Sequence, residues 1–371
     1  MKQSLLFSLA GTAIVCLSLA GLAQATVPRA FVSTNGDDMN PCSAVQPCRS
    51  FNQALTVVQP GGEIVVQNSG GYSTGFTITQ SVTIDAAGFN ASVISTSNTD
   101  LCTINAGPSD RVVFRGISFH GASMGNNTIN VTQVGSLYVE HCSISEFNNI
   151  GIFMVNGGNL FVTDTDIRAC DGGISATPLA VVSDSRFTEC GFGFLLRTGQ
   201  TGDARACLIN CTVSECNFGF SAATHNANNA DMTLINCFAV GNVGGDPGSG
   251  FGVEATVGIN APGNTTVRLI NCTVTGNHFG IDVTDSGPGI AAVLGTNPGT
   301  NLISGNGIDG STGGSVTLAD WMGSPRDYIR LLLRPGAFLP ASALASHRDR
   351  PERLRTFARK YGITVAEERT S

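Results

Sequence analysis

The chain is short of charge. Asp, Glu, Lys and Arg make up 13% of its 371 residues, about half of the ~25% that is usual. Ion pairs are therefore not the basis of its solubility, and Asn, Ser, Thr and 46 Gly take that role. It is also Lys-poor, with a formal net charge of −7, which excludes a phosphate backbone, and so nucleic acid, as a partner. One Trp and four Tyr leave few platforms for stacking sugar rings, although 20 Phe can supply some. After the first 25 residues no segment is long and apolar enough to span a bilayer. Little charge and much Gly and Asn favour a β-rich protein over a helical one.

The N-terminus departs from this composition. Lys2, an apolar run from Leu5 to Leu22 and Ala23-Gln24-Ala25 read as a secretory signal peptide over residues 1–25. The expectation is export, to the medium, the periplasm or the cell surface, with no transmembrane segment after cleavage. Cleavage removes Cys16 of the 12 cysteines, so eleven remain. Export permits disulfides, and an odd count leaves at least one thiol unpaired or paired with another molecule. Cys42 and Cys48, in "PCSAVQPC", are the expected bridge, because a short Pro-flanked loop brings them together.

What the chain has in place of charge is repetition. "LINC" begins at Leu208, Leu234 and Leu269, at intervals of 26 and 35 residues. The wider template is apolar, x, apolar, polar, polar, small, x, apolar, followed eight or nine positions later by Gly-Ile or Gly-Phe. Its small residues are Cys142, Thr165, Ser185, Cys211, Cys237 and Cys272, with Ile117 a looser early member. Periods of 20 to 50 residues mean stacked units. Short alternating apolar runs between Gly, Asn and Asp mean strands and turns. Each unit is then one coil of a solenoid whose equivalent strands pair in parallel, so a turn can lengthen without disturbing the ladder. "GNVGGDPGSG" (241–250) and "TGQTGDA" (198–204) read as such lengthened turns.

These coils resemble the right-handed parallel β-helix of the pectate lyase-like superfamily. "FVSTNGDDMNPCSAVQPCRSFNQALTVVQPGGEIVV" (31–66) is similar to that family's entry: a first strand, a turn, an amphipathic helix from about Ser50 to Val58, and the first coil strand. The resemblance implies an all-β, single-stranded parallel β-helix with an N-terminal capping helix. The expected organisation is a signal peptide (1–25), a cap (26–62), the β-helix (63–320) and a basic C-terminal β-α-β segment (321–371). Half of the 20 Lys and Arg, but two of the 46 Gly, fall between Arg326 and Ser371. That segment faintly resembles the start of a sedolisin or kumamolisin activation pro-domain, without any peptidase domain.

Stacking makes aligned residues neighbours, so each column can be tested for chemistry. Asp164, Asp184, Asn210, Asn236 and Asn271 precede the small position, continuing from His141, and read as a structural ladder. Asp164 beside Asp184 would repel unless protonated or bridged, and hydrogen bonds to turn amides are the expected resolution. Asp166 aligns with Arg186 as an exposed cross-strand ion pair. The cysteine columns, the second being Cys170, Cys190 and Cys216, read as small apolar filling, with Cys207 on an outward position and the best candidate for a free thiol.

The strand after Gly-Ile or Gly-Phe is where enzymes of the resembled superfamily carry their sites. Alternation turns Ile152, Ile174, Phe194, Phe220, Val253 and Ile281 inward. Glu254 and Asp282 become outward neighbours, with Asp285 just beyond and Arg197 two coils away. Glu254 and Asp282 could act as acid and base on a sugar, with Arg197 holding a uronate, or could hold Ca²⁺ together with Asp285. The lyase ligand set does not map residue by residue, and the hydrolase-type Asn-Thr-Asp, Asp-Asp and Gly-His-Gly motifs are absent. The histidines share no column. The expected function is binding of extracellular or cell-surface polysaccharide without catalysis and with no required cofactor. The alternative is a polysaccharide lyase or glycoside hydrolase on an acidic glycan, with Ca²⁺ as its possible cofactor.

Overall fold

The computed structural model describes residues 26–155, 157–177, 179–199, 202–244, 249–295, 301–308 and 315–317. The signal segment (1–25) and the whole of the C-terminal basic segment (321–371) lie outside these residues. Among the described residues the strands form three sheets of 12, 10 and 9 strands. Every coil visits them in the same order: Ser136–Glu140 in the first sheet, Ser143–Ser145 in the second, Ile150–Met154 in the third, then Asn159–Thr163 back in the first. Each strand pairs in parallel with its equivalent one coil on, for example Leu137 with Leu160 and then Ala180. This is the solenoid that the repeat predicts.

Inward columns from all three sheets fill the interior. Leu160 and Val162 come from the first sheet, Ile167 from the second and Ile174 from the third, and all are at most 1% exposed. The N-terminal end is closed by the helix Phe51–Val57, which buries Phe51, Ala54 and Val57. Its N-cap Ser50 accepts a hydrogen bond from the Gln53 amide at 3.2 Å and donates to Asp38 at 2.8 Å, so an otherwise orphaned helix N–H is satisfied. Cys42 and Cys48 form a disulfide across this cap, with Cα atoms 4.6 Å apart.

Two left-handed turns per coil set the corners. At the first, His141, Asp164, Asp184, Asn210, Asn236 and Asn271 all have φ between 46° and 55°, a conformation that Asn and Asp tolerate better than most residues. Their side chains form a ladder: Asn271 donates to Asn236 at 2.7 Å, Asn236 to Asn210 at 3.2 Å and Asn210 to Asp184 at 2.9 Å. Asp164 instead meets His141 Nδ1 at 2.8 Å. The two carboxylates are therefore satisfied by side chains on opposite sides, not by turn amides.

The cysteine columns are more than apolar filling. Each thiol donates to the carbonyl two residues back: Cys211 to Ile209, Cys237 to Ile235 and Cys272 to Ile270, all at 3.4 Å. Thr165 and Ser185 make the same bond, at 3.1 and 2.8 Å, which explains why these residue types interchange. In the second column the sulfur also accepts. Cys190 N–H donates to Cys216 Sγ at 3.4 Å, and Cys216 N–H donates to Asn242 Oδ1 at 2.9 Å. Asn242 and Asn277, both buried, and the partly buried Asn306 then continue the column as an amide ladder.

One further expectation is corrected. Asp166 and Arg186 are register partners, but among the described residues they form no ion pair; long side chains in water gain little by closing on each other. Cys207 does lie on the outward side of its strand, yet it is only 6% exposed. Burial pushes its thiol up to about 12, so it is an unreactive free cysteine rather than an accessible one.

Candidate functional site

Strand pairing in the third sheet stacks Phe153, Ser175, Leu195, Ser221, Glu254 and Asp282 into one outward column. The partners facing inward, Ile152, Ile174, Phe194, Phe220, Val253 and Ile281, are buried. A second outward column, two residues on, runs Thr177, Arg197, Ala223, Thr256 and Thr284; its members from Arg197 onward pair in register. Large and small side chains alternate in both, so Ser175, Ser221, Thr177 and Ala223 are buried between their neighbours although they point away from the interior.

The structure brings Glu254 and Asp282 together as direct register partners. Thr256 donates to Glu254 at 3.1 Å and Thr284 donates to Asp282 at 2.9 Å. Asp282 is only 4% exposed. Burial raises the pKa of Glu254, and the neighbouring Asp282 charge raises it further. Hydrogen bonding from Ser221 and Thr256 opposes both effects. Glu254 thus holds its proton to higher pH than an ordinary glutamate.

Arg197 lies on the same face, two coils away and one outward position along. Among the described residues it forms no ion pair, and its Nε is buried without a hydrogen-bond partner. That burial lowers its pKa. Asp285 is not brought to the site: its carboxylate accepts a hydrogen bond from the Ala291 amide and closes the turn into the next coil. Among the described residues no three Asp, Glu, His or Cys side chains are grouped as a metal would need. Ca²⁺ takes six to eight oxygens, waters and backbone carbonyls among them, of which Glu254 and Asp282 would supply the carboxylate share.

An aromatic column that alternation alone does not reveal runs beside this face. Phe192, Phe218, Phe251 and Phe279 pair in register, with ring centroids 5.4 Å apart for Phe218 and Phe251 and 5.0 Å for Phe251 and Phe279. His278 stacks on Phe279 at 4.5 Å. None of these rings belongs to the interior cluster. The signal was present in the sequence as a Phe just before the repeated Gly, in "GFGF", "NFGF", "GFGV" and "HFGI". The following Gly faces the interior: a Cβ on Gly193 would meet Val213 at 2.4 Å, which rotates the preceding Phe outward.

The described residues include no helix long and apolar enough to cross a membrane. Residues 64–239 match the family model described as the right handed beta helix region. A solved structure titled "Crystal structure of pectate lyase Pel9A" is similar over 82% of this chain and 83% of its own, at 16% identity and a TM-score of 0.42. No curated protein matches the chain. Coil order and parallel register agree with the family match, and the chain folds as a right-handed parallel β-helix.

Proposed function

We propose that the chain is exported and that the outer face of the third sheet binds an extracellular or cell-surface polysaccharide without cleaving it. One observation carries this reading. Arg197 stands on this face and forms no ion pair among the described residues. The Arg197 side chain is only partly buried, so a ligand lying on the face can reach it. The adjacent Phe column offers apolar area for sugar rings. The unpaired guanidinium favours a glycan bearing carboxylates.

The test is calorimetric titration with acidic and neutral polysaccharides. Binding of the acidic glycans that weakens about tenfold in Arg197→Ala, or about 1.4 kcal/mol, supports the reading; no binding to any glycan overturns it. Catalysis is the second reading, favoured by the raised pKa of Glu254 beside Asp282, which is the division of roles that an acid and a base require. An assay for reducing ends and unsaturated products, with and without a chelator, separates the two. Turnover lost in the Glu254→Ala, Asp282→Ala double variant would establish the enzyme.

A further inference from the structure

From the two runs of stacked cysteines we infer that this chain carries cross-coil disulfides, one in each run, with Cys190 and Cys237 as obligatory partners. Nine cysteines are free among the described residues, and all are buried. Six of them fall into two unbroken columns: Cys170, Cys190 and Cys216 after the second sheet, and Cys211, Cys237 and Cys272 before it. The strands that lead out of and into these turns are in register, Arg168 with Thr188 and Ser214, and Ile209 with Ile235 and Ile270. The other three are isolated. Cys102 pairs with Phe76 and Ile129, Cys207 pairs with Val181 and Thr233, and Cys142 stacks below Thr165.

The hydrogen-bonding role of these columns does not require sulfur, since Thr165, Ser185 and Asn242 fill the same positions. Unbroken runs of thiols add one capacity that hydroxyls and amides lack. Adjacent coils lie about 4.8 Å apart, inside the Cα separation that a disulfide spans, whereas the ends of each run, about 9.6 Å apart, are beyond it. A bridge must therefore use the middle cysteine. The sulfurs also lean along the column: Cys216 Sγ accepts from the Cys190 amide, and Cys237 Sγ lies 3.4 Å from Leu208 O of the preceding coil.

The chemistry balances with a low-molecular-weight disulfide as oxidant. One protein thiolate attacks the oxidant RS–SR and releases RS⁻; the neighbouring protein thiolate then attacks the mixed disulfide and releases the second. Two protein thiols are oxidised, one RS–SR is reduced to two RSH, and one Cys–Cys bond forms. Because the columns are buried, the reaction belongs to the stage at which one coil is being laid on the next. The inference rests on the export proposed above for its oxidising setting, but its test does not.

The experiment refolds the reduced full-length chain in a glutathione redox buffer, alkylates free thiols in denaturant, and maps non-reduced peptides by mass spectrometry. The Cys42–Cys48 link serves as the control for oxidation. The expected result is a Cys190 peptide joined to that of Cys170 or Cys216, and a Cys237 peptide joined to that of Cys211 or Cys272, with one alkylated cysteine left in each run. Cys190→Ser should leave both Cys170 and Cys216 alkylated, while Cys170→Ser should keep a Cys190–Cys216 link. Six alkylated column cysteines beside an intact Cys42–Cys48 link would overturn the inference, as would a direct Cys170–Cys216 link. Either result stands whatever the location of the chain or its ligand.

Discussion

At the scale of single residues, the molecule solves one problem repeatedly: a left-handed turn leaves a carbonyl to be satisfied, and the next residue supplies a short donor. Cys142 does this for Glu140 at 3.3 Å and has no cysteine beside it in its column. Cys142→Ser should therefore cost little, whereas Cys142→Ala should lose about 1 kcal/mol in urea unfolding; equal losses would reduce the thiol to mere filling. Glu254 gives a prediction with a definite pH dependence. Its folded-state pKa is raised, so its ionised form burdens the fold at pH above that value, and the burden vanishes as pH falls below the ordinary carboxylate range near ~4.3. Glu254→Gln should accordingly raise Tm by about 1–3 °C at pH 7, and scanning calorimetry should show the gain disappearing towards pH 4. These effects could not be read from composition, because a donor bond to residue i−2 and a half-buried carboxyl both depend on where the chain turns.

At the scale of elements, the strands and the Asn turns were legible, since a two-residue alternation and a repeated Asn or Asp before a small residue specify them locally. The helix was also legible, from Ser50 and the apolar positions that follow it; the structure places it at Phe51–Val57. The corner glycines carried a signal whose meaning emerged only in three dimensions. A Cβ on Gly219 would come within 2.2 Å of the Gly252 carbonyl oxygen on the next coil, so Gly219→Ala should cost about 2–3 kcal/mol by overpacking a backbone contact and should disturb the Phe218–Phe251 stack. The long turn at 258–264 makes the opposite prediction. Four Gly-Ser residues inserted after Ile259 should cost less than about 1 kcal/mol, whereas deleting one residue from Thr265–Ile270 would exchange its inward and outward faces and should abolish folding. Chemical denaturation of the two variants compares them directly.

At the scale of the whole molecule, scarcity of charge and regularity of stacking predict how the protein responds to salt. Among the described residues the ion pairs are few and mostly exposed, and such pairs contribute little. Raising NaCl to 1 M should therefore shift Tm by less than about 2 °C, while binding of an acidic glycan through Arg197 should weaken steeply, because exposed charges are screened over a few ångströms at that strength. A large loss of Tm would show that electrostatics, not burial, holds the coils together. The sequence by itself determined the solenoid, the parallel register and the inward columns, because each coil repeats a local pattern and each contact is made with the same position one repeat away. From that register alone Glu254 could be set beside Asp282. Tertiary structure decided the rest: that Asp285 closes a turn, that Asp164 turns to His141, that Cys207 is buried, and that Phe rings flank the candidate face. Each of these depends on the direction a side chain takes as the chain bends at a corner, and on what the neighbouring coil leaves room for, neither of which a one-dimensional pattern carries.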